Sequence, residues 1–488
     1  MTCIFKAFAV EWGAKGIWSM MKRIHSDNSI CKRFDRYLAS PYYVLSLMLV
    51  TALGFAFSLE AVCYGLFTAV CVYVCLFGAD LLPLMPLVVF SYLMPSARNN
   101  PGINENSVFA GGSGIYIACL GAVIVATLCC RVVRDRKRFW GSKPPLLWGM
   151  AALWAAYLLG GIGTAGYRSR FPGNLLFAFL QGAAVAVPYL LLRGGVNWKQ
   201  ARRDYLAWIG FCAGGLVLFE ILYLYSSSHV VIDGIIRRQN LVTGWGMHNN
   251  LGGFLAMMIP FAFYLATKYR KGWIGTVAGS AFLIGVLMTC SRSSILGGVG
   301  IYLVCIYLML SYSRNTKDNA IALAIVIAIV ALSVLLFQRQ LLRLFSDILD
   351  RGLDPSSRDI IYEKGLELFG QSPIFGNSFY SPGYQPWDFS TSESFSAFFP
   401  PRWHNTVIQL LVSCGTVGIL AYGFHRVQTV VVLLRRRHKE PVFIACALAV
   451  LLFTSLFDCH FFNIGPTLFY SMALAFGENI REVTHADH

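Results

Sequence analysis

The chain has 488 residues, 56% hydrophobic and only 13% charged, with a mean hydropathy of +0.59 and a formal net charge of +16. That balance excludes an ordinary soluble globule and points to a polytopic membrane protein whose core is the bilayer interior. Most of the positive charge lies in short segments between apolar runs, so it reads as a topology signal facing anionic headgroups and not as a nucleic-acid surface.

The chain opens on a basic segment, 1–40, with an amphipathic pattern suited to lying along the inner membrane surface. It shows no signal-peptide cleavage pattern, so the first span is expected to serve as the insertion signal. A span needs about 20 apolar residues. Apolar runs follow at 42–59, 61–78, 81–94, 114–130, 144–162, 174–192, 206–225, 251–267, 273–290, 293–312, 320–337, 406–424, 442–457 and 463–477. The third run is short and the thirteenth breaks near Asp458, which gives 12 to 14 transmembrane helices in an all-α fold. Of the 40 Lys and Arg, 28 fall on the face shared with the N-terminus, among them the group Arg426, Arg435, Arg436, Arg437 and Lys439. The positive-inside rule then places both termini in the cytoplasm of a multi-pass cytoplasmic-membrane protein. The expected organisation is a cytoplasmic segment 1–40, a helical body 41–337, one large external loop 338–404, C-terminal spans 405–478 and a cytoplasmic tail 479–488.

Fourteen cysteines are scattered mainly through apolar runs without metal-ligand spacing, and the large loop has none, so a disulfide-stapled exterior domain is not expected. Within that loop Ser356 to Phe369 reads as a helix, capped by Ser357, with Ile361, Gly365, Leu366 and Phe369 as its apolar face and Gly370 and Pro373 ending it. The stretch Gly376 to Pro401 is aromatic and rich in Gly, Pro and Ser, which predicts irregular structure resting on the membrane.

Four patterns place polar groups at the external membrane edge, where they are costly unless paired or functional. Arg237-Arg238-Gln239 with Gly244, Gly246, His248, Asn249 and Asn250 precedes a span, and its cations and amides could bind a phosphate at a helix N-terminus or simply cap it. Ser291-Arg292 sits in a tight turn between two spans, so Arg292 needs either an anionic ligand or an acid such as Glu60, Glu220 or Asp458. Arg358 opens the loop helix, where the helix dipole disfavours a cation, and either a bound anion or a bridge to Asp354 or Glu363 would offset that. His404-Asn405 opens the next span, and His404 could exchange a proton with an acceptor hydroxyl or serve as an interfacial structural residue. Trp387, Trp403, Tyr380 and Tyr384 fit both sugar stacking and interfacial anchoring.

These patterns, in this order, resemble the bacterial O-antigen ligase and O-antigen polymerase (Wzy-like) superfamily of membrane glycosyltransferases. The resemblance covers residues 235–425 and rests on the Gly-to-Asn250 motif, Ser291-Arg292, Arg358 with Pro373 and Gly376, and His404-Asn405 with Gly415 and Gly418. It implies a C-type (GT-C) helical glycosyltransferase that takes a polyprenyl-diphosphate-linked glycan donor on the outer face of the membrane. The acceptor would be a glycan, lipid or protein hydroxyl. By position, Arg292 and Arg358 would hold the donor diphosphate, His404 would act at the acceptor, and Arg238, Asn250 and Asn405 would bind or order substrate. The sequence departs from the family pattern at Asn249, where Pro is usual, at Asn377, where Gly is usual, and at Ser413-Cys414, where an acid often stands. No cofactor is called for: a lipid diphosphate is already a good leaving group, and two guanidinium forks suit its developing charge, so a metal-independent reaction is expected. The competing reading is a polyprenyl-lipid or polysaccharide transporter, whose anion site would use the same arginines.

Overall fold

The computed structural model describes residues 29–93, 112–140, 144–169, 171–226, 230–243, 246–346, 358–380, 402–435 and 439–480. The helices among them are α1 Ser29–Leu38, α2 Pro41–Phe57, α3 Glu60–Leu76, α4 Leu84–Leu93, α5 Gly112–Arg134, α6 Arg136–Trp140, α7 Leu147–Leu159, α8 Ala165–Ser169 and α9 Phe171–Gly195. They continue as α10 Tyr205–Ser226, α11 His248–Lys268, α12 Trp273–Met288, α13 Arg292–Tyr312, α14 Thr316–Leu344, α15 Arg358–Gln371, α16 Thr406–Leu434, α17 Lys439–Ser455 and α18 Ile464–Asn479. Each of the fourteen apolar runs falls on a helix. The protein is an all-α polytopic membrane protein, and among the described residues six helices have the length and apolarity to cross a hydrocarbon core. A seventh is added if α1 and α2, which meet at a 73° bend ahead of Pro41, form one span.

Helix α11 is the hub. It is apolar around its whole circumference, and it is buried from Leu251 to Thr267 against α10, α12, α13 and α17, as expected of a helix with no polar face to give to solvent. By contrast α14, the most apolar of the long helices, buries little of its surface in the protein and turns the rest outward. The two ends of the bundle follow from α11. At its C-terminal end Lys268 pairs with Asp204 and Tyr264 donates to Glu440 at the start of α17. At its N-terminal end Asn250 meets Asn463, just ahead of α18.

The stretch between α10 and α11 contains two small antiparallel hairpins, Val231–Ile232 with Ile235–Ile236 and Val242–Thr243 with Gly246–Met247. The first turns through Asp233 and Gly234, both at positive φ, the geometry of a tight two-residue hairpin. Arg343, in the last turn of α14, donates to the Asp233 carbonyl at 3.0 Å and ties the long helix to that hairpin.

Two expectations need correction. Arg426 does not lie in a cytoplasmic loop: α16 continues past it to Leu434, so it leaves the charge tally. The loop helix runs Arg358–Gln371, past Gly370, and buries Ile361, Gly365 and Leu368 while Leu366 points outward, because the docking face follows the 361, 365, 368 stripe. The described part of the segment after Gly376, residues 376–380, is irregular, and its Asn377 and Ser378 amides donate to α16. Ser357, Asp354, Trp387, Tyr384 and Gly244 lie outside the described residues.

Candidate functional site

Glycine at 415 creates the local architecture. It sits inside α16 at φ 64 and ψ −157, a backbone region open essentially to glycine alone, and it breaks the helix ladder. The carbonyls freed by the break, and the amides that follow it, pair with the segment after α15. Asn377 N–H donates to Val412 O at 2.6 Å and Ser378 N–H to Ser413 O, while Thr416 and Val417 N–H donate to Pro373 O and Ile374 O. A Cβ on Gly415 would lie 2.4 Å from the Ile374 carbonyl, so the Pro373 to Gly376 segment can dock only against glycine. Asn377 earns its place differently from a glycine: its amide donates to the Leu368 carbonyl and closes the C-terminal end of α15. The motif that resembles the family is thus a dock, and it presses α15 onto α16 through Gly365, Ile408, Trp403 and Val412.

That dock places Arg358, the first residue of α15, beside the start of α16. Asn405 is the N-cap of α16: its side-chain oxygen accepts from Val407 N–H at 2.8 Å and Ile408 N–H at 3.2 Å. Its amide donates to Leu456 O, fastening the start of α16 to the end of α17. His404 immediately precedes the cap, in the left-handed region at φ 51, a strained conformation for a residue with a Cβ. Its carbonyl accepts from the Tyr362 hydroxyl at 3.1 Å, which locks it to α15. The ring points elsewhere, and Nδ1 lies 3.4 Å from the Asp458 carboxylate.

Asp458 opens the short turn that joins α17 to α18 and contains the 3-10 segment His460–Phe462. Burial raises its pKa, but the His404 imidazole, the nearby His460 and the Cys459 N–H together outweigh burial and hold the carboxyl well below the usual carboxylate range. His460 is buried, and burial lowers its pKa against the opposing pull of Asp458, while Arg358 and His404 lower it further. Arg358, His404, Asp458 and His460 therefore share one electrostatic neighbourhood. Among the described residues Arg358 makes no ion pair.

The other predicted residues reach this end of the bundle along α11. A Cβ on Gly253 would touch the His460 ring at 3.0 Å, and Asn250 accepts from Asn463 Nδ2 at 2.9 Å, so the first turns of α11 lie against the His460 turn. Arg292 is the first residue of α13, after Cys290 at φ 56, and Ser294 of the same turn donates to the Asn249 carbonyl. Arg238 opens a 3-10 turn between the two hairpins that precede α11. Asn250 accepts through Oδ1, and Asn405 is engaged through both its oxygen and its amide nitrogen. Arg358 and His404 both act on His460, and Arg292 begins α13, whose first turn meets the start of α11 at Asn249.

Three residues here were not singled out from the sequence as site residues. The sequence offers Asp458 only as an acid partner for Arg292, yet it faces His404. His460 follows it by two residues, in a short polar break between two apolar runs, and that break was the available signal. Arg402 lies two residues before His404: its Nη2 donates to Phe462 O at 3.0 Å and its guanidinium lies over the Phe177 ring. Burial lowers the Arg402 pKa against the opposing pull of Cys459 and Asp458.

Residues 277–423 match the family model Wzy_C, described as O-Antigen ligase, a span that contains Arg292, Arg358, His404, Asn405, Gly376 and Gly415. No curated protein matches the chain. The match falls on the segments that build the site, and residues 277–423 are on that ground a Wzy_C domain, which supports a place in O-antigen ligase-like cell-surface glycan biosynthesis.

Proposed function

We propose that the chain transfers a glycan from a polyprenyl-diphosphate donor to a hydroxyl acceptor at the outer face of the cytoplasmic membrane, without a metal. The observation that carries this reading is the meeting of Arg358, His404, Asp458 and His460 at the end of the bundle where Arg292 begins α13. Arg292 and Arg358 hold the diphosphate, and their forked donors stabilise the charge that grows on it as the glycosidic bond breaks. The acceptor hydroxyl attacks the anomeric carbon, and its proton passes to His404. Asp458, ionised at neutral pH, orients the His404 ring and stabilises the imidazolium that forms. The strained backbone at His404 fits a residue held for chemistry at the cost of local stability. The transporter reading gains less from this geometry, because the predicted residues collect at one end of the bundle instead of lining a path through it.

The test is transfer from a polyprenyl-diphosphate glycan by the full-length protein in native membranes. Arg292→Ala and Arg358→Ala are expected to cut transfer at least about 1,000-fold, the range of a catalytic arginine that stabilises a transferring phosphate. Arg→Lys should rescue poorly, because a point charge lacks the bidentate fork. Near-normal transfer by either alanine variant, with normal membrane levels, would return that arginine to a structural role.

A further inference from the structure

Arg426 lies deep in the bundle, in the half of α16 beyond the Gly415 break. Its guanidinium sits 4.4 Å from the Tyr422 ring centroid, 4.2 Å from that of Phe461 and 4.6 Å from that of Tyr470. All three guanidinium nitrogens are buried, and among the described residues Arg426 makes no ion pair. A cation at this depth is costly, and here three rings, two of them with hydroxyls that act on the guanidinium, offset the loss of water. Two of those rings come from the body: Tyr422 from α16 itself and Tyr470 from α18, where the Tyr470 hydroxyl meets His425 Nε2 at 2.9 Å. The third is different. Phe461 belongs to the turn that carries Asp458 and His460.

That turn is held by its carbonyls and by its rings. Gln181 of α9 and Thr467 of α18 donate to Phe461 O at 2.8 and 2.7 Å, and Arg402 donates to Phe462 O. Phe462 packs on Tyr157 and Phe379, and His460 lies against Gly253. Phe461 meets Tyr422 and Tyr470 edge-on, and Arg426, among the same three rings, adds a charged contact to that grip. We propose that Arg426 is a positioning residue, whose cation, caged by Tyr422, Phe461 and Tyr470, fixes the 458–462 turn and so keeps Asp458 and His460 against His404. The inference rests on the transferase reading for its consequence, though not for its geometry.

Arg426→Met keeps the length and apolar stem of the side chain and removes the cation. A misplacement of about 1 Å in a positioned group can cost about 100-fold in rate, so kcat should fall about 10- to 100-fold while the KM for donor stays within about threefold. Two effects separate positioning from bulk stability. The pH profile of Arg426→Met should converge on that of Asp458→Asn, and the two changes combined should cost little more than Asp458→Asn alone, because both disable the same contact. Multiplied losses, or turnover and pH profile unchanged in Arg426→Met, overturn the proposal.

A second measurement needs no activity. Cys459 is buried on the same turn, so its alkylation by N-ethylmaleimide in native membranes, read by mass spectrometry, reports whether the turn stays closed. Arg426→Met should label Cys459 at least about tenfold faster while Cys305, buried in α13, labels as in the unmodified protein. Cys459 protection unchanged in Arg426→Met sinks the proposal whatever the enzyme transfers. If Cys305 also opens, Phe461→Leu decides, since it removes the ring and leaves the charge: selective exposure of Cys459 supports the proposal and continued protection overturns it. A protein that transfers no glycan at all, yet exposes Cys459 selectively, refutes the transferase reading and leaves the positioning role standing.

Discussion

Asp204 and Asp458 are aspartates at opposite ends of the bundle, both held largely out of water, and the groups facing them give them different work. Arg202 donates to Asp204 through Nε and Nη2, Lys268 approaches at 3.5 Å, and Trp208 Nε1 and the Tyr269 hydroxyl complete the shell. Burial raises the Asp204 pKa, but these partners outweigh it and bring the carboxyl to about 2. Every cation in that shell stays charged at any physiological pH, so the cluster is a strut that ties the start of α10 to the end of α11. Asp458 is equally acidic in direction, yet its facing groups are the imidazoles of His404 and His460 rather than permanent cations. A carboxylate closed off by permanent cations holds a fold together, whereas one facing titratable rings on a strained backbone can take part in moving a proton.

The comparison breaks most readily at His404. As a general base it should contribute about 100- to 10,000-fold to turnover, so His404→Ala should lose that much kcat while donor binding changes little. His404→Gln keeps a hydrogen-bond acceptor and cannot take the proton. Its kcat should match that of the alanine variant. Substantial transfer by the glutamine variant would reduce His404 to an orienting group, and full activity of the alanine variant would remove it from the reaction.

A smaller effect sharpens the contrast by crossing it. Contacts to charged groups contribute about 1.5 to 3 kcal/mol. Spent on the imidazolium of the transition state, that is about 10- to 100-fold in rate, so Asp458→Asn should lower kcat by that factor in the protein that remains folded, beside whatever stability its depressed carboxyl contributes. Asp204→Asn should cost about 1 to 3 kcal/mol of stability with kcat preserved in the protein that remains folded. Equal loss of turnover in both variants would mean that the two carboxylates do not differ in kind.

The helices were legible because about 20 apolar residues suffice to announce a span. The docking motif was legible too, though its meaning was not: nothing local says that Gly415 opens a helix to receive Pro373 to Gly376, because the partner lies some forty residues away. Arg426 was misplaced for the same reason. A lone arginine at the end of an apolar run reads as a membrane boundary until rings from Phe461 and Tyr470, distant in sequence, are seen to enclose it. His404 was found because it stands next to its helix and its loop. Asp458 and His460 acquire meaning only through the packing of the α17 to α18 turn against α11 and α16.

The smallest expected effect lies in how stability at the two ends responds to pH. The free imidazole titrates at about 6.5. Burial depresses the folded-state pKa of His460, so the unfolded chain binds a proton that the folded chain refuses. Stability should therefore rise with pH between the depressed folded-state pKa and about 6.5 and level off above it, with a slope of at most about 1.4 kcal/mol per pH unit. Asp458, His404 and Arg358 face His460; Asp458 is already ionised across this range and Arg358 stays cationic, so neither adds a slope of its own. Asp204 behaves differently: its folded-state pKa is depressed, so its contribution is complete above about 4 and is lost only as pH falls toward 2. Thermal midpoints measured between pH 5 and 7 should then fall on acidification in the unmodified protein, fall less in His460→Gln, and fall as much as before in Asp204→Asn. An unchanged slope in His460→Gln would assign the response to another histidine and leave the His460 turn insensitive to pH in this range.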